Sequence, residues 1–318
     1  MILRGPVFGC LLVFAQINAA FACDLCAAFR SMEAKSAHPG FYTSGFEQFT
    51  HFGSLQLNGA AMHDTIDQSL DSSITQFIAG YQANDRFGLQ LNIPYIHRAY
   101  RRPDGYGIDS GIVAGVGDID LIGHYRLVQR ATTGVLFAGD LIAGVKFPAG
   151  SSARLREELS EADDLPGAPA SGIHGHDLAL GSGAYDAIMG TTVFASWQRL
   201  FLTSGIQYSI RGRGSIDYRY ANDLSWYVRP GGYIWLSHTG SLGLQLDVSG
   251  EQKGKDDLAG ISADDTGITS VFIGPSFTLT WKDNLSAELG FGFPAVMDNT
   301  SLQLVPDYRI RAALTWRF

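Results

Sequence analysis

The sequence predicts an all-β protein, a transmembrane antiparallel up-and-down β-barrel of about twelve strands. Three observations predict it. Apolar residues recur with period two through most of the chain. Short and long connections alternate between the strands so defined. Aromatic residues gather near both ends of those strands. Composition agrees. With 38 glycines, 12% aromatic and 17% charged residues, the chain fits a wall with one lipid face and one polar face. A soluble domain would carry about 25% charged residues. No apolar run long enough for a spanning helix follows the first 22 positions, and such a helix needs roughly 20 residues.

The N-terminus reads as an export leader. Arg4 supplies the positive end, residues 7–19 are mostly apolar, and Ala20-Phe21-Ala22 forms an A-x-A cleavage site. Residues 1–22 are therefore expected to leave, taking Cys10. Residues 23–40 should form a short periplasmic segment and residues 41–318 the barrel. Cys23 and Cys26 form Cys-Asp-Leu-Cys at the new N-terminus. Three readings stand: a disulfide in an oxidising compartment, a metal or thiol-redox pair with an incomplete ligand set, or lipidation of Cys23. Ala27 stands where covalent haem attachment needs His.

Strands follow from parity. In 86–97, Phe87, Leu89, Leu91, Ile93 and Tyr95 alternate with Gly88, Gln90, Asn92 and Pro94. Equivalent alternation marks 116–128, 134–147, 241–252, 285–293 and 308–318. Less regular strands are expected at 41–57, 73–83, 185–197, 200–212, 224–237 and 268–281. Short turns fall at 84–85, 129–133, 198–199, 238–240 and 282–284. Long loops fall at 58–72, 98–115, 148–184, 213–223, 252–267 and 294–306. Barrels of this kind carry short periplasmic turns and long outer loops. Tyr125, Trp197, Trp281 and Trp316 would form one aromatic girdle. Tyr95, Phe147, Tyr185, Tyr208, Phe293 and Tyr308 would form the other. The last strand, ending in Trp316-Arg317-Phe318, matches the pattern favoured by barrel-assembly machinery, with Trp316 and Phe318 on the lipid face. It should close on the first strand, because an open edge in lipid leaves peptide groups unsatisfied.

The opposite face carries charge of both signs. Asp118, Asp120, His124, Arg126, Asp140, Lys146, Asp186, Arg211, Arg229, Asp247, Glu288, Arg309 and Arg311 all have inward parity. They either pair across a filled lumen or line a polar permeation path. The net charge of −8 argues against a nucleic-acid partner, since phosphate binding needs a basic face.

Three blocks carry a resemblance. Gly115-Val116-Gly117-Asp118-Ile119-Asp120-Leu121 precedes His124-Tyr125-Arg126-Leu127; Gly144-Val145-Lys146-Phe147-Pro148-Ala149-Gly150 follows; then comes Leu180-Gly181-Ser182-Gly183-Ala184-Tyr185-Asp186, with Gly190. In order and spacing they resemble the outer-membrane barrel family named for the phenol-degradation meta pathway, over roughly residues 75–318. The resemblance implies a channel or transporter for small molecules, aromatic or apolar compounds among them. Outer-membrane lipid, lipopolysaccharide, the assembly machinery and a small solute are the partners expected; no cofactor is.

Two further features bear on binding. In the long loop, His174-Gly175-His176-Asp177 spaces two imidazoles and a carboxylate as a metal site does, against the alternative of a solvated polar loop. Asp256, Asp257, Asp264 and Asp265 offer oxygens for cations shared with lipopolysaccharide. No nucleophile elbow accompanies the histidines, so a surface hydrolase ranks below a channel or a plugged structural barrel.

Overall fold

A computed structural model describes residues 39–159, 167–282 and 284–318. The leader, Cys23 and Cys26 lie outside the described residues. Thirteen long strands build the wall: β1 (Gly40–Leu57), β2 (Ser69–Gln82), β3 (Phe87–Asp104), β4 (Gly107–Val116), β5 (Ile119–Thr132), β6 (Val135–Phe147), β7 (Asp186–Trp197), β8 (Leu200–Ile210), β9 (Asp223–Ser237), β10 (Gly240–Lys253), β11 (Ile268–Trp281), β12 (Leu285–Asn299) and β13 (Leu302–Arg317). β4 and β5 both pair with β3, β4 along its outer half and β5 along its inner half. They act as one stave, so the barrel has twelve. Every neighbour is antiparallel, and β13 closes on β1 from Tyr42↔Arg317 to Leu57↔Leu302. The expected class, stave count and closure therefore hold.

The alternation read from sequence is the alternation observed. In β3, Phe87 through Tyr95 at odd positions are exposed on the outside, while Gly88, Gln90 and Asn92 are buried inside. Tyr125, Trp197, Trp281 and Trp316 are exposed at the short-turn end, with Tyr95, Phe147, Tyr185, Tyr208 and Phe293 toward the other. Tyr308 instead is half-buried, stacked on His51 with ring centroids 5.4 Å apart. No helix among the described residues is long and apolar enough to cross a membrane.

Two expected loops are strand. Residues 98–115 form the outer half of the β3–β4 hairpin, turning at Gly105 with φ +57°. Residues 294–306 are the outer ends of β12 and β13 around a turn at Thr300-Ser301. Beyond the lipid the outer face need not be apolar, so the alternation fades while the hydrogen-bonded ladder continues. Pro294 and Pro306 both sit at register shifts, where a missing N–H costs no ladder bond. The turn expected at 129–133 is also shorter, because β5 runs to Thr132.

The loop 148–185 is no solvated outer loop. Its described parts fold into the barrel mouth, where Leu155 and Leu178 have no exposed surface and Ile173 has 1%. A short 3₁₀ segment (Ala153–Leu159) and a four-residue helix (Gly175–Leu178) shape it. Ile173 and Leu178 pack on Leu55, Leu70, Tyr100 and Leu304 at the outer ends of β1, β2, β3 and β13. Leu155 packs with Tyr218 in a small sheet formed by Tyr218–Arg219, Asp256–Leu258 and Ile261–Ala263.

Candidate functional site

The lumen is built by the inward face, and its order starts at a flaw in the wall. Between β4 and β5, Gly117 and Asp118 are both buried, whereas a regular strand would turn one outward. This bulge aims Asp118 at the infolded loop. Its carboxylate accepts from the Gly150 amide (3.0 Å), the Ser182 amide (2.9 Å) and the Ser182 hydroxyl (2.9 Å). Glycines permit the approach: a Cβ on Gly181 would lie 2.4 Å from Asp118 Oδ1, and one on Gly150 2.4 Å from the Leu180 carbonyl.

Lys146 Nζ sits 3.4 Å from Asp118 and 3.0 Å from Asp186. Arg211 bridges Asp186 (2.9 Å) and Asp223 (2.6 Å). The three blocks that carried the family resemblance thus meet in one buried chain of charges: Asp118, then Lys146 and Gly150, then Ser182 and Asp186. Asp223 was missed. It shares the parity of Arg229, six residues on in the same strand, and continuing that parity to the strand start would have found it.

A second group starts six residues further along β9 from Asp223, toward the short-turn end. Arg229 reaches Asp247 (3.0 Å) and Glu288 (3.3 Å), and Arg311 donates to the same Asp247 carboxylate. The Arg229 guanidinium also covers the Tyr227 ring, and that of Arg309 the Phe272 ring at 4.0 Å. Arg126 and Asp140 form a two-pronged pair at 2.8 and 3.4 Å. His124 Nε2 lies 2.8 Å from Gln82 Oε1. The inward candidates therefore fall into separate groups. Asp118, Lys146, Asp186 and Arg211 are brought together, as are Arg229, Asp247, Glu288 and Arg311. Arg126 and Asp140 stand apart from both.

The two loop histidines do not converge on one point. Their rings stack in parallel, centroids 5.7 Å apart. His174 Nε2 faces Asp265 at 3.5 Å; His176 has Glu158 at 3.0 Å and Asp177 at 3.5 Å. No group of three or more metal-ligating side chains gathers among the described residues. Burial alone would lower the His176 pKa, but Asp177, Glu158 and Asp256 outweigh it and raise it to about 10. The ring is an imidazolium clamped between carboxylates. Glu158 and Asp256 were not anticipated as its partners, since nothing in their spacing to His176 signals contact. The four loop aspartates do not share a site either. Asp256 is buried against Lys253 and Tyr218, Asp257 pairs with Arg213, Asp264 with Lys255 and Asp265 with His174.

Cavities open within the lumen among the described residues. One, of about 130 Å³, lies under the infolded loop and is lined by Ile74, Ile96 and Leu180 together with Asp118, Asp120, Lys146 and Arg211. The second, of about 380 Å³, lies toward the short-turn end, lined by Phe194, Phe201, Tyr227 and Tyr233 with Arg126, Asp140 and Glu288.

No family model matches this chain, and no curated protein does. Solved structures do. An outer membrane channel from Pseudomonas putida F1 aligns with TM-score 0.60 at 14% identity, over 88% of this chain and 96% of that one. The translocator domain of the autotransporter NalP from Neisseria meningitidis aligns at TM-score 0.44 and 10% identity, over 92% and 93%. The CymD monoaromatic hydrocarbon channel aligns at 0.39 and 8%, over 88% and 89%. The last two scores are too low to bear an argument. The first extends over nearly the whole of both chains, and the chain has the fold of an outer-membrane β-barrel.

Proposed function

We propose that this protein is an outer-membrane channel for passive passage of small molecules, aromatic or apolar compounds among them. The observation that carries it is the lumen cavities, each lined by apolar side chains together with charged and polar groups. A purely structural barrel gains nothing from ring-sized spaces beside buried charges, which cost desolvation free energy. The charges are engaged with one another, so they narrow the path without giving it one sign. The similarity to a bacterial outer membrane channel supports the same reading, and export to the outer membrane, contact with lipopolysaccharide and recognition of the strand ending in Trp316 and Phe318 by assembly machinery go with it.

A plugged barrel is the second reading, favoured by the complete burial of Leu155 and Leu178 at the mouth. Reconstitution in liposomes separates the two. The channel reading expects solute flux and a small ionic conductance from the intact chain. Replacing residues 152–181 with a short Gly-Ser linker should raise conductance, and the excised barrel, like the intact one, should run faster on gels before boiling than after. Flux at the empty-liposome baseline for the intact chain, appearing only on loop excision, would establish the plug. Hydrolysis of lipid or peptide substrates that vanishes with a histidine substitution would instead revive an enzymatic role.

A further inference from the structure

We infer that the cavity under the infolded loop is a solute subsite selective for small neutral molecules that donate a hydrogen bond. Two buried acceptors face this cavity. Asp120 is 3% exposed and Gln76 is 1% exposed, and both line the cavity. Asp120 Oδ1 and Gln76 Oε1 accept no hydrogen bond from any described residue. A buried acceptor left unsatisfied costs free energy that a donor entering the cavity would recover. Two acceptors facing one space therefore select for a molecule with a hydroxyl or N–H.

The surroundings define the rest of that molecule. Ile74, Ile96 and Leu180 form an apolar wall and belong to one packed cluster. A volume of about 130 Å³ is close to that of a cavity, about 150 Å³, known to admit a benzene-sized ring. The ligand is thus compact and ring-sized, with an apolar body. Charge is disfavoured in either sign. Lys146 and Arg211 face the same space and would repel a cation, yet both are already paired with carboxylates. An anion would meet Asp120, while the other cations lining the cavity are engaged elsewhere, Arg98 on the Ala179 carbonyl, His176 on Glu158 and Lys253 on Asp256. A neutral alcohol meets neither penalty.

This deepens the channel reading, and rests on it only in taking the bound molecule for cargo. The test compares cyclohexanol with cyclohexanone. Their rings match, but the ketone can only accept. Binding is measured by saturation-transfer NMR on the full barrel in detergent, and occupancy by block of its conductance in a planar bilayer. Cyclohexanol should bind saturably and about tenfold tighter than cyclohexanone, the worth of one well-made hydrogen bond. Gln76→Leu should bring the alcohol down toward the ketone, and Gln76→Glu, which keeps an acceptor, should preserve the preference. Equal affinity for the two probes overturns the inference, as does the lack of any saturable binding, which would mean that the cavity holds water alone. If Gln76→Leu loses its unboiled gel mobility, the alcohol-to-ketone ratio of the unaltered chain decides. A clear preference for the alcohol in a protein that conducts nothing would uphold the subsite and remove the channel.

Discussion

Asp118 shows how one side chain joins wall and loop. Its carboxylate takes two amides and a hydroxyl from residues 32 and 64 positions away, and Lys146 neutralises it. Asp118→Ala removes all of these at once and leaves the Gly150 and Ser182 amides without their acceptor. The cost should be about 3 kcal/mol, the low end for breaking a buried ion pair, because Lys146 keeps Asp186. Urea unfolding in detergent would read this as a lowered midpoint, and limited proteolysis as faster cleavage in 148–185. Asp118→Asn should fall between, since its amide presents one acceptor and one donor to three donors. An unchanged midpoint in Asp118→Ala would show that the loop is held by its apolar contacts instead. The inward position of Asp118 was legible from parity, although the bulge that produces it was not. Its partners were invisible, because closeness to Gly150 and Ser182 depends on a loop that reverses into the barrel.

At the level of elements, that loop is fastened at a second point, and there pH enters. His176 in the helix Gly175–Leu178 faces Asp177 on its own element, Glu158 from the 3₁₀ segment, and Asp256 and Tyr218 from the small outer sheet, with the His174 ring stacked beside it. Burial beside Asp256 raises the Tyr218 phenol, which stays neutral and donates to that carboxylate at 2.6 Å. A histidine whose folded pKa lies above the ordinary 6.5, here at about 10, stabilises the loop fully below the lower value. That stabilisation fades as pH rises through the upper one. Loop proteolysis should therefore accelerate across this window, and His176→Gln should be cleaved faster at neutral pH with a flatter profile. An intact chain whose cleavage rate does not change over the window would refute the clamp. The sequence suggested a metal site or a solvated loop here because His-Gly-His-Asp has a ligand-like spacing. It could not show that Leu155, Ile173 and Leu178, isolated apolar residues in a polar stretch, form the loop's anchoring face. The strands, by contrast, were readable wherever lipid imposed alternation on the outer face, as in β3 from Phe87 to Tyr95. They became unreadable from Arg98 onward, where it no longer did.

For the whole molecule, what sets this fold apart from a soluble protein is inversion: apolar side chains outside, charges inside, and a ladder closed from β1 to β13 so that no edge remains. The inversion makes an opposite prediction for one face of the same strand. Leu91 points outward on β3, between Ala79 of β2 and Leu121 of β5 in register. On a water-exposed surface, Leu91→Arg would shift stability by no more than about 0.5 kcal/mol. Facing hydrocarbon, it should cost about 2–4 kcal/mol, falling as the site is moved toward either aromatic girdle. Reversible urea unfolding in lipid vesicles measures the difference, with Leu91→Phe as the variant that changes size but not charge and should stay near the parent. Moving the arginine to Phe87, at the short-turn end beside Tyr125, should recover most of the loss. A depth-independent cost would mean that the outer face is not spanned by lipid. A cost that peaks at Leu91 and declines toward both ends would trace the apolar band directly, and would place the Asp118 and Arg229 charge groups on the lumen side of a wall whose other side is hydrocarbon.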